Sequence, residues 1–295
     1  MNQFLTDDAP YRAAIMHCAA SILPMHMGER LINKIFGRAL PSHAAGLIAI
    51  MHAQSKLGLG EPATLGVLQD SFGSRRTLAS FVSLLKLANF VDAVEKPDDR
   101  RIRYLVPTEQ MTAGLRDWLS HHLRCAEIAG MELPHDNMAQ RFSSDEGFST
   151  RFIAASRSVL ERSRQVLKGE HGWAWFDQFD CGDRIALKLC AEHFSAEPNR
   201  EGDHWFPLGS RALASQLGIS HSHVRNVVNA AEKEGYLYQD RGPGNVLLSQ
   251  GFLADVRSWH LTFWSWVAET AAAAHADMGG FADEAFTSTS EPAAG

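Results

Sequence analysis

The feature that most constrains how this chain folds is a pattern it carries twice. Residues 64–108, TLGVLQDSFGSRRTLASFVSLLKLANFVDAVEKPDDRRIRYLVPT, read as a short helix, a Phe72-Gly73 turn, a second helix and a hairpin with a charged tip. Near the other end, Leu217-Gly218 pairs with Phe72-Gly73 at an offset of 145. After one extra residue, Ile219, the residues Val224, Val227 and Leu237 pair with Leu78, Phe81 and Val91 at an offset of 146. In the helix that follows each hairpin, LRDWL (115–119) matches VRSWH (256–260). A repeat of this length is the size of a domain and too long for a solenoid unit, so it points to duplication and fusion of one ancestral fold. With 295 residues, 45% of them hydrophobic, the chain has enough apolar material for two lobes.

Apolar spacing fills in the rest. Helices are expected over 11–23, 25–38, 42–54, 64–71, 74–88 and 108–131, with strands over 90–94 and 102–106. Residues 132–147, ELPHDNMAQRFSSDEG, are polar and turn-rich and read as a linker. Helices over 150–168 and 183–193 then flank a Trp-rich segment before the second copy. The expected division is a first lobe with N-terminal helices (1–131), the linker (132–147), a second lobe (148–274) and a disordered tail (275–295). The fold class is mainly α with small β-wings: two winged helix-turn-helix lobes related by pseudo-twofold symmetry and joined by long terminal helices.

In such a lobe the second helix presents short polar or basic side chains at its N-terminal turns while its opposite face packs inward. Ser74, Arg75, Arg76, Thr77 and Ser80 fill that role in the first copy, and Ser220, His221, Ser222, Arg225, Asn226 and Asn229 in the second. Arginine can bond guanine O6 and N7 together, and asparagine adenine N6 and N7, which suits both sets to base-edge reading. Lys96, Arg100, Arg101 and Arg103 on the first hairpin, and Arg241 on the shorter second one, suit phosphate contact. Between Phe72 and Arg103 seven cations face four carboxylates, whereas the second copy balances four against three. The net charge of −6 excludes a protein that coats nucleic acid everywhere, and screening over about 8 Å at physiological salt leaves contact to the local excess.

The wing and following helix, VEKPDDRRIRYLVPTEQ, resemble those of MarR-type winged-helix regulators. Asp98, Asp99, Arg100 and Arg101 stand for the family's D-x-R wing signature, and residues 105–109 resemble its strand ending in Leu-Thr. The likeness covers about residues 43–123 and is only generic over about 183–270. It implies a bacterial transcriptional regulator whose terminal helices interlock, whose two recognition helices enter successive major grooves, and whose operator affinity responds to a small ligand. This chain departs from the family by carrying both lobes itself with unlike helices, so a monomeric fused pair and an asymmetric double-stranded operator are expected in place of a homodimer and a palindrome.

Other chemistry is sparse. Six of the seven tryptophans, Trp173, Trp175, Trp205, Trp259, Trp264 and Trp266, lie in the second half, where they either line a pocket for an aromatic or apolar effector or pack as core. Cys190 with His193, and His17-Cys18 with Met25-His26-Met27, offer soft donors without a full ligand set, so no metal and no cofactor is expected. Cys18 also raises redox sensing, but among its sequence neighbours only His17 is available to stabilise a thiolate. Four cysteines without a C-x-x-C pair fit a reducing compartment. The polar N-terminus, the short apolar runs and the lack of nucleotide-binding or hydrolase motifs predict a cytoplasmic, non-membrane, non-enzymatic protein. Two other readings share the pattern: a winged-helix adaptor in a larger assembly, and a tandem winged-helix replication initiator.

Overall fold

A computed structural model describes residues 9–166, 171–240, 242 and 244–287, with side chains described through residue 276. The protein is mainly helical with two small antiparallel sheets. Its first half runs α1 (Ala9–Ile22), α2 (Arg30–Phe36), α3 (Ala39–Lys56), α4 (Leu65–Phe72), α5 (Arg75–Leu87), β1 (Val91–Lys96), β2 (Asp99–Pro107), α6 (Glu109–Ile128). Its second half runs α7 (Met138–Ser144), α8 (Glu146–Ala155), α9 (Arg157–Val166), α10 (Gly172–Asp177), α11 (Gly182–Ser195), β3 (Phe206–Pro207), α12 (Ser210–Leu217), α13 (His221–Lys233), β4 (Leu237–Asp240), β5 (Asn245–Leu248), α14 (Gln250–Thr287). Among the described residues no helix is long and apolar enough to cross a membrane.

The repeated stretch forms as its residues dictate. The Thr64 hydroxyl accepts from Val67 N at 3.3 Å and caps α4, while Gly73 closes that helix in the left-handed region at φ +74°. In the second copy Gly218 closes α12 at φ +67°. There a side chain is doubly excluded, because a Cβ would also lie 2.5 Å from Cγ of Arg30. Both halves then pair a hairpin: β1 with β2, and β4 with β5. The residues just before each short helix add to that sheet, Thr64 as a single bridge to Tyr104 and β3 as a strand on β5.

Three expectations are corrected. The segment 132–147 is not an open linker: it contains α7 and the start of α8, and Met138 and Phe142 bury four residues apart on one face. The expected helix over 150–168 is two helices, since Ser156 ends α8 and its hydroxyl bonds back to Phe152 O at 2.8 Å. The helix expected over 25–38 starts only at Arg30, because Gly28, at φ +84°, gives its amide to Gln216 O in the other half at 2.8 Å. The helix α14 extends through 275–287, where the tail was expected; residues 1–8, 288–295 and the end of the 150–168 segment lie outside the described residues.

The halves pack crosswise. Helix α1 lies on α6 of its own half and on α11 of the other, while α8 lies on α14 of its own half and on α3 of the other; α6 and α14 cross one another. One hydrophobic core therefore runs through both halves, from Tyr11 and Ile48 to Phe176, Leu189 and Val267. The same crossing serves the helix-turn ends. Arg164 of α9 donates to Ser71 O at 3.0 Å with its guanidinium 4.2 Å from the Phe72 ring centroid, and Gly28 donates to Gln216 O, the matching position of the second copy.

Asn33 extends that pattern: its buried amide nitrogen donates to His26 O at 2.7 Å and to Leu217 O at 2.9 Å. Asn33→Ala leaves Leu217 O without its donor and His26 O with only the longer bond from Glu29 N at 3.3 Å, and urea unfolding should register a loss of about 1–3 kcal/mol.

Burial is also the main reason that His26, His43 and His193 are pushed down to about 4, with neighbouring Arg184, Arg164 and His204 respectively adding to the shift. The unfolded chain protonates them near pH 6.5, so their stability contribution is present above that pH and is lost as pH falls toward 4. Asp177, raised to about 7 chiefly by burial, acts in the opposite sense and offsets one of them. Stability measured by urea midpoint should thus fall as pH drops from 6.5 to 4, the more so because burial pushes His122 down as well, to about 3.

Candidate nucleic-acid interface

Helix α5 is oriented by its apolar stripe, since Leu78, Phe81, Val82 and Leu85 are buried against the first half. The opposite face therefore points to solvent. Arg75, Arg76, Thr77 and Ser80 are exposed in its first two turns, and the Arg75 and Arg76 side chains make no hydrogen bond or ion pair among the described residues. Ser74 occupies the cap position, yet its hydroxyl makes no capping bond. Unpaired guanidinium groups at a helix N-terminus keep their donors available for an external acceptor such as a base edge or phosphate.

The hairpin holds most of its cations in place. Lys96 pairs with Glu61 and sits 5.8 Å from the Tyr104 ring centroid; the Glu61 hydrogen bond is the main reason the Lys96 ammonium is raised well above its usual range. The Arg101 guanidinium forks onto both oxygens of Asp99 at 3.1 Å, and Asp99 also accepts from Arg101 N. These bonds hold the Asp99 carboxyl below its usual range. Arg103 approaches Glu95 at 3.7 Å, whereas Arg100 is exposed and has no partner among the described residues. Such exposed pairs add little stability, but they fix where the charges stand.

Helix α13 divides its candidates differently. Ser222, Arg225 and Asn226 are exposed, and neither Arg225 nor Asn226 has a side-chain partner among the described residues. Ser220 is occupied as the helix cap, accepting from His223 N at 3.1 Å, and it also meets Ser222 Oγ at 3.1 Å. His221 is half-buried and bonds Ser210 at 3.2 Å. Asn229 accepts from Gln239 Nε2 at 3.1 Å; the same nitrogen donates to Glu232, which ties the helix to β4. Arg241 lies outside the described residues.

Residues that the sequence reading passed over join the two exposed helices. Helix α2 packs on α5, and through Gly28 and Asn33 it reaches the end of α12. Cys181 N donates to Gly37 O at 2.8 Å, Arg38 pairs with Asp180, and Asp180 O bonds His223 Nε2 at 3.0 Å on α13. The tryptophans, for their part, pack ring on ring: Trp173 stacks with Trp259 at 6.4 Å between centroids, and Trp259 with Phe263 at 5.9 Å.

No protein family, curated protein or solved structure matches the chain.

The unlike caps have a measurable consequence. Ser220→Ala should lower stability by about 1 kcal/mol in urea unfolding, while Ser74→Ala, which removes no capping bond, should stay within about 0.5 kcal/mol.

Proposed function

We propose that the chain is a sequence-specific regulator of transcription that binds double-stranded DNA with two winged helix-turn-helix lobes, MarR-like in arrangement and related by a pseudo-twofold. The observation that carries this reading is the pairing of two features. Both halves repeat a helix, helix and hairpin order, and both expose an N-terminal stretch of helix whose arginines, Arg75 and Arg76 in one and Arg225 in the other, have no intramolecular partner among the described residues.

The crosswise contacts at Ser71 and Gln216 support a fixed distance between the two reading helices, which half-sites on one duplex require. Because the helices differ, arginine-rich in α5 and Arg225 with Asn226 in α13, the half-sites should differ too, and a single chain should occupy an asymmetric operator. An aromatic or apolar effector acting between the lobes, a cytoplasmic location and the absence of catalysis belong to the same reading. A protein-binding adaptor is the competing one. It is favoured by the acidic net charge and by the engagement of Asn229 with the wing.

Selection from a random duplex pool followed by salt-dependent band shift tests the proposal. Arg75→Ala or Arg76→Ala should cost about 1–3 kcal/mol on the selected sequence and relax base preference at one position. Arg100→Ala should weaken binding to all sequences alike and reduce the salt slope by about one. A pool that yields no enriched sequence, with binding absent at low salt, would refute the reading, and a partner retained from extract after nuclease treatment would favour the adaptor.

A further inference from the structure

The helices that join the halves bring together chemistry that the DNA reading does not use. Cys18 of α1 meets His122 and Cys125 of α6, and one ligand atom from each lies within 4.8 Å of the others. All three residues are buried. A further imidazole stands beside Cys18 from α14: that of His260, also buried. Two thiols and two imidazoles from three helices thus converge inside an otherwise apolar core. The chemistry of the set fits a soft to borderline cation, since Cys2His2 is a closed zinc donor set and its two thiolates cancel the dication's charge in a dry interior.

The geometry points to a tetrahedral zinc-class metal site formed by Cys18, His122, Cys125 and His260 at the junction of α1, α6 and α14. Zinc–ligand bonds of about 2.3 Å to sulfur and 2.0 Å to nitrogen place tetrahedral ligand atoms about 3.5–3.8 Å apart, so the spacing of the Cys18, His122 and Cys125 donors closes with about 1 Å of side-chain movement, and the His260 ring must swing in from beside Cys18 to complete the set. His260 is already oriented: its Nδ1 donates to Val256 O at 2.8 Å, which leaves Nε2 with the free lone pair. A backbone carbonyl on the non-ligating nitrogen is the usual support for a metal-bound imidazole. His122 carries its own reporter. The Trp264 indole N–H donates to His122 Nδ1 at 3.3 Å, so a metal either displaces the indole or turns the ring over. Cys125 donates to Ala14 O at 3.6 Å, and metal entry removes this thiol proton along with that of Cys18. A filled site would clamp the three helices that connect the halves.

The site stands on its own geometry and not on the DNA reading. Its test is titration of the full, reduced, chelator-stripped chain with Co2+, followed by displacement with Zn2+. The expected result is one equivalent bound, a thiolate-to-cobalt charge-transfer band of two-sulfur intensity, a tetrahedral visible spectrum, a change in tryptophan emission at the same equivalence point, and complete displacement by one equivalent of Zn2+. Cys18→Ser should reduce the charge-transfer intensity by about half and the affinity at least tenfold, and His260→Gln should weaken binding about 10–100-fold with both sulfur contributions kept. His135→Gln, at an exposed histidine pair with His275, should change nothing. The proposal is overturned if the wild-type chain binds no equivalent of Co2+, or binds it without a charge-transfer band. This readout needs no variant and so does not depend on whether Cys18→Ser folds.

Discussion

The structure depends on one arrangement: the last carbonyls of the helices that precede the two glycine turns are met by donors from the opposite half. A helix leaves its last carbonyls without intrahelical donors, and these must be met by other groups. At Ser71 the donor is Arg164, whose guanidinium also covers Phe72, and at Gln216 and Leu217 the donors are Gly28 and Asn33. In both cases the donor belongs to the opposite half. The helices that lead into each half obey the same rule, α1 lying on α11 and α8 on α3. Each turn keeps its own glycine bond, Gly73 N to Gln69 O and Gly218 N to Ser215 O, while the carbonyls beside it and the leading helix are completed by the other half.

That mutual completion gives the proposed function its geometry. A symmetric homodimer achieves such crossing with two identical surfaces, whereas a fused chain is free to let its two exposed helices diverge. The two differ in charge and in engagement. Helix α5 keeps two arginines without partners among the described residues beside a hairpin whose Lys96, Arg101 and Arg103 are held by carboxylates, while α13 commits Ser220 to its cap and Asn229 to β4. On a chain of net charge −6, the proposed reading makes these few cations act by position more than by bulk attraction. The short ladder of Arg38, Asp180 and His223 carries the same fixing across to α13.

Much of the helix order was legible, because apolar stripes such as Leu78, Phe81, Val82 and Leu85 and turn glycines such as Gly73 and Gly218 act locally. The reading failed where a distant group decides the local structure. Gly28 is drawn out of a helix by Gln216 O, nearly two hundred residues away, and α7 forms in a polar segment because Met138 and Phe142 find a core built by α6 and α8. The candidate base-reading residues were legible by position, but which of them are free was not: Ser220 and Asn229 look like Arg225 and Asn226 until their partners are known. The donor cluster was half visible. His122 and Cys125 share the three-residue spacing noticed at Cys190 and His193, yet Cys18 and His260 reach them only through the crossing of α1 and α14 with α6.

The central claim is that one chain carries two unlike reading heads at a distance fixed by crosswise packing. Hydroxyl-radical footprinting of a selected duplex, with the mass of the complex measured by analytical ultracentrifugation, tests it most directly. The account predicts one chain per duplex and two protected stretches of different sequence, about 34–36 Å apart on one face. Two chains on a palindrome, or one chain protecting a single stretch, would contradict it.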